Sequence, residues 1–431
     1  MWAIHSWCGL YAGVVIAVLS ITGVAALFKV ELDYALNPSL FYVEPQAQRA
    51  EVTPIIDSVA AHYPAGSLYA VNVPKEKNES WYTNFFFKNE GPGAKQIQVF
   101  IDPYTGAILG TRDYYYSFAF FLRHIHVRLY EPFVGRQIVG LAGIALLIST
   151  ITGFWIYGGF MKKQFFAVIR KKNLRIQMAD FHKLIGVSTL FFNLMIAITG
   201  AWLGLQAYLE PAIVGDRPGE FIPKELPLSK EEDKNYKFDF EEVLAKTRAN
   251  FPEFTPSFIS PSYDGSRTIT VKGTVPRTAF ERDRFRITFD KAGLEEIDRY
   301  DIRNAGFGDK VYMIQESMHF GDYGGIVLKV IYSFFGFTSG FLALTGFIVY
   351  LKRTEKKRLE KPKFIELRPL LLRWTYAILA GVVILAALQM NVGLVIPSLV
   401  VIVGAYATIL FLLAKALVLY FRRLRLKKAI S

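Results

Sequence analysis

The stretch Met318-His319-Phe320-Gly321 opens the part of the sequence that decides the fold. It leads into an uncharged run over Val330–Leu351 that contains Leu344-Thr345-Gly346, and Lys352-Arg353 follow the run. This run exceeds the ~20 apolar residues that an α-helix needs to cross the hydrocarbon core of a bilayer. The order of histidine, apolar run and Thr-Gly pair therefore predicts a membrane helix that is preceded by a histidine.

The same order occurs four times, with two alternating spacings. The glycine follows the histidine by 18 residues in the first and third copies, and by 27 residues in the second and fourth. This alternation predicts a duplicated two-helix hairpin, which is an internal repeat. The four copies are His5 with Thr22-Gly23, His126 with Thr152-Gly153, His182 with Thr199-Gly200, and His319 with Thr345-Gly346.

The hydropathy of the whole chain predicts a membrane protein with six spans. Of its 431 residues, 52% are hydrophobic, and three further uncharged runs cover Trp7–Phe28, Ile138–Phe160 and Leu184–Leu209. A longer run, Trp374–Ala414, is about twice one span, and the polar turn Gln389-Met390-Asn391 divides it. The predicted fold class is a membrane α-helical bundle of six transmembrane helices, built on the duplicated hairpin, with two small extracytoplasmic α+β domains.

Basic residues predict the orientation of the chain. They cluster within 162–175, 352–363 and 422–428, and six alternating helices place all three clusters on one side. The positive-inside rule makes that side cytoplasmic. We therefore expect a multi-pass protein of a bacterial inner membrane, with both termini in the cytoplasm and lipid as its surroundings. The net charge of +13 follows from this topology, and no nucleic-acid partner is predicted.

The regions between the paired spans have the pattern of small α+β units. Helical patterns cover Val52–Tyr63 and Phe240–Asn250. Strand, turn and strand follow over Ile97–Gly110 in the first region and Arg286–Ile297 in the second. The predicted domain boundaries are 1–29 (first span), 30–123 (first α+β domain), 124–160 (second span), 161–181 (cytoplasmic loop), 182–209 (third span), 210–318 (second α+β domain), 319–351 (fourth span), 352–373 (cytoplasmic linker), 374–420 (hairpin of two spans) and 421–431 (basic tail).

Several common chemistries have no motif in this sequence. The one cysteine, Cys8, cannot form an intramolecular disulfide, and no C-x-x-C-H sequence is present for covalent haem attachment. No G-x-G-x-x-G opens a βα unit, and no Walker A motif occurs. The sequence assigns no catalytic residue.

The four repeated histidines predict two pairs of metal-ligating side chains. Alternating helices bring His5 and His182 together near the cytoplasmic face, and His126 and His319 together near the opposite face. Two imidazoles on facing helices are the minimum for a six-coordinate haem iron. Two are too few for a structural zinc site, which takes four ligands.

Two glycines strengthen the haem prediction for the cytoplasmic pair. Gly9 and Gly186 each follow a histidine by four residues, which places them on the same helix face one turn on. A glycine there removes the side chain that would collide with a porphyrin plane. The Thr-Gly pairs, in contrast, are interpreted as small residues at close helix contacts.

The outer pair differs from the cytoplasmic pair. A fully helical path over 27 residues would be about 40 Å long, so we expect an interrupted helix and a pair at or above the membrane surface. Arg123, Arg128 and Arg136 surround His126 and would suit haem propionates; lipid headgroups or loop carboxylates are the alternative partners. His124 is the alternative ligand, although the matched spacing selects His126.

These residues resemble the PepSY-associated transmembrane helix proteins, also called iron-regulated inner-membrane proteins, which include ferric-siderophore reductases. The resemblance covers roughly residues 1–353, and the turns Asp102–Gly106 and Asp290–Gly293 look like the PepSY repeat. The stretches that carry the resemblance are His5-Ser6-Trp7-Cys8-Gly9, Leu122–Gly153, Phe181–Gly186, Met318–Gly321 and the four Thr-Gly pairs.

Membership of this family implies a membrane protein with two haem b groups that carries electrons from the cytoplasmic side to the periplasm. A periplasmic ferric-siderophore is the expected acceptor, which makes the protein a ferric-siderophore reductase. The donor is either a separate cytoplasmic reductase or a membrane quinol. Two other classes remain open: a haem or siderophore uptake accessory without redox turnover, and a regulatory membrane protein whose PepSY-like domains bind a peptidase.

Overall fold

The computed structural model divides the chain into two compact units. The helical unit contains Met1–Ala26, Phe121–Leu209 and the described residues from Val330 on, and the sheet unit contains Leu27–Phe120 and Glu210–Lys329. Each unit therefore combines segments that are distant in sequence. The structure describes residues 1–87, 95–130, 135–161, 168–213, 239–261, 267–278 and 284–360.

Helices cover the first four predicted apolar runs and the two predicted helical patterns. Phe240–Asn250 is a helix with the bounds that the sequence predicts, and the helix at Val52 ends at His62. In chain order the helices are α1 Trp2–Tyr11, α2 Gly13–Leu27, α3 Lys29–Leu36, α4 Pro38–Phe41, α5 Val52–His62, α6 Phe118–Arg128, α7 Gly135–Met161, α8 Leu174–Ser188, α9 Leu190–Ile213, α10 Phe240–Asn250, α11 Phe307–Phe320 and α12 Gly325–Glu360.

Three of these helices are long and apolar enough to cross a membrane: α7, α9 and α12. The pair α1 and α2 adds a fourth candidate if the two count as one span, with a bend of 55° between them. These four correspond to the first four predicted spans. The two predicted spans within 374–420 lie outside the described residues.

The helices that carry the repeated histidines are all interrupted. α1 and α2 are separated at Ala12, seven residues after His5, and α8 and α9 are separated at Thr189, seven residues after His182. α11 ends at Phe320, one residue after His319, and the following residue, Gly321, has a left-handed φ of 59°, a conformation that glycine adopts without steric cost. The interruption predicted on the outer side is therefore observed at this histidine.

Small residues let the long helices of the helical unit approach closely. A Cβ atom on Gly143 of α7 would lie 2.6 Å from the Ala201 nitrogen of α9, and one on Gly336 of α12 would lie 2.9 Å from the Val24 side chain of α2. Ser20 also donates a hydrogen bond of 2.6 Å to the Gly336 carbonyl. Such close packing is typical of helix association in membranes. Lipid tails are as apolar as the helix surfaces, so the hydrophobic effect does not drive the helices together and close packing does.

The two regions predicted as separate α+β domains share one eight-stranded antiparallel sheet. Its order is β4-β3-β2-β1-β5-β6-β7-β8, so the two four-stranded halves meet where β1 pairs with β5. This pairing removes two exposed strand edges, which otherwise leave backbone groups unpaired. The strands are β1 Ser67–Asn72, β2 Trp81–Phe87, β3 Lys95–Ile101, β4 Ile108–Asp113, β5 Thr255–Pro261, β6 Thr268–Thr274, β7 Phe285–Asp290 and β8 Glu296–Asp301.

One hydrophobic core also joins the halves. Ile56 of α5 and Val243 of α10 belong to the same buried cluster as Val99 of the first half and Ile287 of the second. The starts of the two helices are linked as well, because the Phe240 N–H donates to the Thr53 hydroxyl at 2.8 Å. The sheet unit is therefore a single folded body made from both regions.

A polar network lies on the first half of the sheet. Arg112 of β4 forms two hydrogen bonds of 2.7 Å to the carboxylate of Asp33 on α3. Its Nε donates to Gln98 at 2.8 Å, and Gln98 donates to Asn84 at 2.9 Å. This network fixes α3 to strands β2, β3 and β4.

Candidate functional site

His5 of α1 and His182 of α8 meet inside the helical unit. Their ring centroids are 6.1 Å apart, and the ring planes are inclined by 82°. Both side chains are half-buried. The pairing of these two histidines is the one that the sequence predicts for the cytoplasmic side.

The Nδ1 atom of His5 is held by the neighbouring helix α7. It lies 3.0 Å from the Ser149 carbonyl oxygen and 3.2 Å from the Thr152 hydroxyl. A carbonyl oxygen only accepts hydrogen bonds, so Nδ1 must carry the proton. The Thr152 hydroxyl donates its own proton to the Ile148 carbonyl at 2.6 Å and is left to accept from His5.

His182 is held in the same way by α12. Its Nδ1 lies 2.9 Å from the Thr345 hydroxyl, which donates its proton to the Phe341 carbonyl at 2.8 Å. A hydrogen bond to the main chain of Leu342 adds to this contact. Leu342 precedes its threonine by three residues, as Ser149 precedes Thr152.

His126 of α6 makes the corresponding contacts with α2. Its Nδ1 lies 3.4 Å from the Thr22 hydroxyl, and the ring also bonds to the main chain of Leu19. Thr22 donates to the Val18 carbonyl at 2.8 Å. Three histidines therefore share one arrangement: a threonine hydroxyl, and a main-chain group three residues before that threonine.

The glycine after each threonine leaves room for the imidazole. A Cβ atom on Gly153 would lie 3.1 Å from Cε1 of His5, and one on Gly346 would lie 3.4 Å from Cε1 of His182. On Gly23 it would lie 2.7 Å from Cε1 of His126. The interpretation of these Thr-Gly pairs as helix-contact residues alone is therefore incomplete, because each pair also packs against a histidine ring. Sequence analysis missed these threonines as site residues, although one Thr-Gly pair for every repeated histidine was the available signal.

The protonated Nδ1 determines what the pair of His5 and His182 can do. With Nδ1 as the donor, Nε2 carries the lone pair that a metal ion binds. Two imidazoles on opposite sides of one ion, with bonds of about 2 Å, require ring centroids about 6 Å apart. The separation of His5 and His182 fits this requirement.

The surroundings of this pair also fit a planar group. A Cβ atom on Gly9 would have no neighbour within 4 Å among the described residues, and one on Gly186 would meet only a Leu342 methyl group at 3.7 Å. Within the same part of the chain, no group of three or more His, Cys, Asp or Glu side chains is placed to hold a metal ion. His5 and His182 offer two imidazoles, a donor set that suits haem iron.

The three candidate arginines have different surroundings. Arg136 donates from Nε to the Leu203 carbonyl at 2.9 Å and from Nη2 to Gln206 at 3.0 Å, so it fastens α7 to α9. Arg123 is exposed and Arg128 is half-buried.

The other histidines are placed outside the pair of His5 and His182. The His124 ring packs against Tyr130, with ring centroids 5.8 Å apart. His124 also interacts electrostatically with the positive charges of Arg123 and Arg128. His319 is half-buried in the sheet unit, with its ring 5.4 Å from that of Phe320. His62 is exposed on α5 and its Nδ1 lies 3.3 Å from the Ser58 carbonyl of its own helix.

Comparison with known proteins gives a family and a relative. A family model described as the PepSY-associated TM region matches residues 2–353. An uncharacterized protein of Pseudomonas aeruginosa is 26% identical over 311 residues, which cover 68% of this chain and 76% of that protein.

Proposed function

The chain belongs to the PepSY-associated TM region family, and from this premise we propose that it is a di-haem b electron carrier of a bacterial inner membrane. It takes electrons on the cytoplasmic side and delivers them to Fe(III) held by a siderophore in the periplasm. Both termini are cytoplasmic in this proposal.

The single observation that carries the proposal is the geometry of His5 and His182. Their ring centroids are 6.1 Å apart, and each ring has its Nδ1 held by a threonine on another helix. Two imidazoles at this separation would serve as the two protein ligands of one haem iron. The open space beside Gly9 and Gly186 supports the same ligand.

The second haem is assigned to His126 and His319 from their matched spacing in the sequence. The contact of His126 with Thr22 and Gly23 supports its choice over His124, because His5 and His182 each contact a Thr-Gly pair of another repeat copy in the same way. Arg123 and Arg128 are the arginines that we assign to haem propionates.

Bound haem would supply one-electron redox chemistry at iron. The chain would hold the imidazoles of His5 and His182 in one orientation, with Nδ1 as the hydrogen-bond donor. The electron comes from a separate cytoplasmic reductase or a quinol. The acceptor gains this electron and passes from Fe(III) to Fe(II), which binds hard oxygen ligands less tightly, so the siderophore releases its iron.

The test uses purified protein in sealed liposomes, loaded with a ferric hydroxamate complex and a chelator that becomes coloured with Fe(II). Dithionite is added outside as the reductant. We expect Fe(II) inside for the wild type and for His62→Ala, and at least a tenfold slower rate for His182→Ala, because outer-shell and ligand changes have effects of this size or larger.

The other outcomes identify the rival functions. Haems that become reduced without Fe(II) formation would reject the ferric acceptor and leave the electron carrier intact. A labile haem without a stable low-spin spectrum would favour an uptake accessory. Absence of haem after expression with haem supplied would reject electron transfer and leave a PepSY-type regulatory protein that binds a peptidase.

A further inference from the structure

The three described contacts between a histidine and a Thr-Gly pair share one proton arrangement. Each threonine hydroxyl donates to the carbonyl four residues earlier in its own helix: Thr22 to Val18, Thr152 to Ile148 and Thr345 to Phe341. A hydroxyl has one proton and two lone pairs. The remaining interaction with the imidazole must therefore run from Nδ1–H to the threonine oxygen.

We propose that Thr345, Thr152 and Thr22 are positioning residues that fix the orientation and raise the electron-donating strength of the imidazoles of His182, His5 and His126. This inference rests on the proposed function, since it assigns these threonines to the haem ligands. Hydrogen bonds from the second ring nitrogen are known to set the tautomer and basicity of metal-bound histidine. A more basic imidazole stabilises the oxidised metal, so these threonines lower the reduction potential of the haem.

The glycine of each Thr-Gly pair contributes to the same positioning of the imidazole. The threonine can approach the ring only because its neighbour has no side chain, as the short distances from a Cβ on Gly23 and Gly153 to their histidines show. Each Thr-Gly pair thus combines a hydrogen-bond acceptor with a gap for the ring edge. Each lies on a different helix from its histidine, so the pair also fixes the ring against a second helix.

The distances rank the three threonines. The Nδ1 to Oγ1 distance is 2.9 Å for Thr345, 3.2 Å for Thr152 and 3.4 Å for Thr22. Hydrogen bonds weaken over this range, and main-chain partners remain when a threonine is lost. We therefore expect the largest change in potential for Thr345 and the smallest for Thr22.

The experiment is a potentiometric titration of the haem absorption bands in Thr345→Val, Thr152→Val and Thr22→Val, with haem content measured beside it. Thr345→Val and Thr152→Val should both raise the reduction potential of the haem assigned to His5 and His182. Thr22→Val should raise that of the haem assigned to His126 and His319. A tenfold change in the redox equilibrium is expected for Thr345→Val, which is about 59 mV for a one-electron couple.

The controls separate positioning from general packing. Thr345→Ser keeps the hydroxyl and should keep the wild-type potential. Thr150→Val and Thr338→Val remove hydroxyls that donate to carbonyls of their own helices, on the same helices as Thr152 and Thr345, and should leave both potentials unchanged.

The results distinguish this inference from the proposed function. Wild-type protein without haem would reject the proposed function itself. Haem bound in normal amount with unchanged potentials in all three valine variants would overturn the inference alone, as would equal shifts in the control variants. If Thr345→Val does not fold, Thr152→Val against Thr150→Val decides the same question at the same haem.

Discussion

The helical unit and the sheet unit both bury polar side chains, but the hydrogen-bond partners of these side chains differ between the two units. In the sheet unit, Asp33, Arg112, Gln98 and Asn84 bond to one another and tie α3 to the strands. In the helical unit, threonines engage one ring nitrogen, Nδ1, of His5, His182 and His126. A closed polar network stabilises a fold, whereas one with a remaining lone pair can bind a metal. The haem site that we propose for His5 and His182 therefore lies in the helical unit.

Arg112→Ala is the variant from which we expect the largest loss of stability in the sheet unit. It leaves the carboxylate of Asp33, whose side chain is 8% exposed, without its bidentate partner. Removing one member of a buried ion pair costs about 3–5 kcal/mol. We expect a loss of this size in the free energy of unfolding of the sheet unit, measured by denaturant titration with fluorescence, while the haem spectrum stays as in wild type.

Paired variants test this prediction. Arg112→Ala combined with Asp33→Leu should recover part of the stability, because no buried charge is then left unpaired. Loss of the haem assigned to His5 and His182 in Arg112→Ala would show that this site depends on the stability of the sheet unit.

Gly143→Ala tests the helical unit instead, by disturbing the packing of α7 against α9. The added methyl group would lie 2.6 Å from the Ala201 nitrogen, so α7 and α9 must separate. Overpacking of this kind costs about 1–3 kcal/mol. We expect a lower thermal midpoint for haem loss and unchanged protection of the sheet unit in limited proteolysis.

The matched control lies on the same helix. A Cβ atom on Gly158 would have no neighbour within 4 Å among the described residues, so Gly158→Ala should retain haem as the wild type does. Equal behaviour of the two variants would argue against the close crossing of α7 and α9.

The smallest expected effect is the pH dependence of one ion pair at the edge of the sheet. Burial alone would raise the pKa of Asp301, but the hydrogen bonds and charge of Arg303 outweigh it and hold that pKa below its usual value. A lowered carboxyl pKa stabilises the fold above the ordinary pKa, and this contribution is lost as the pH falls through the lowered value. Since Arg303 is 36% exposed, we expect less than about 1 kcal/mol.

Arg303→Gln measures this contribution. The variant should be slightly less stable than the wild type at neutral pH, and the difference should shrink as the pH falls below about 4. Urea titrations at several pH values provide the comparison. A stability difference that is constant with pH would rule out the ion pair as its source.

Local patterns predicted the elements well because they depend on nearby residues. The helix over Phe240–Asn250 follows from its apolar spacing, with Asp239 as its N-cap. Likewise, the turn at Asp102 joins β3 and β4 because the Asp102 side chain accepts from the Tyr104 N–H at 2.8 Å. These signals lie within a few residues and are visible in the sequence.

Long-range features were not predictable from the same patterns. The pairing of Val71 with Ile259 joins the two halves into one sheet, and these residues are separated by a membrane hairpin in the sequence. The hydrogen bond between Thr345 and His182 likewise depends on how α8 and α12 cross. The matched spacing indicated that the histidines form pairs, but only the structure shows which side chains hold them.

The most direct test of the central claim is the pyridine-haemochrome stoichiometry of purified protein, with reduced-minus-oxidised spectra. Four axial imidazoles predict about two low-spin b-type haems per chain. His5→Ala and His182→Ala should each lose the same haem, His126→Ala should lose the other, and His62→Ala should keep both. Retention of both haems in His5→Ala and His182→Ala, or no haem in the wild type, would contradict the account.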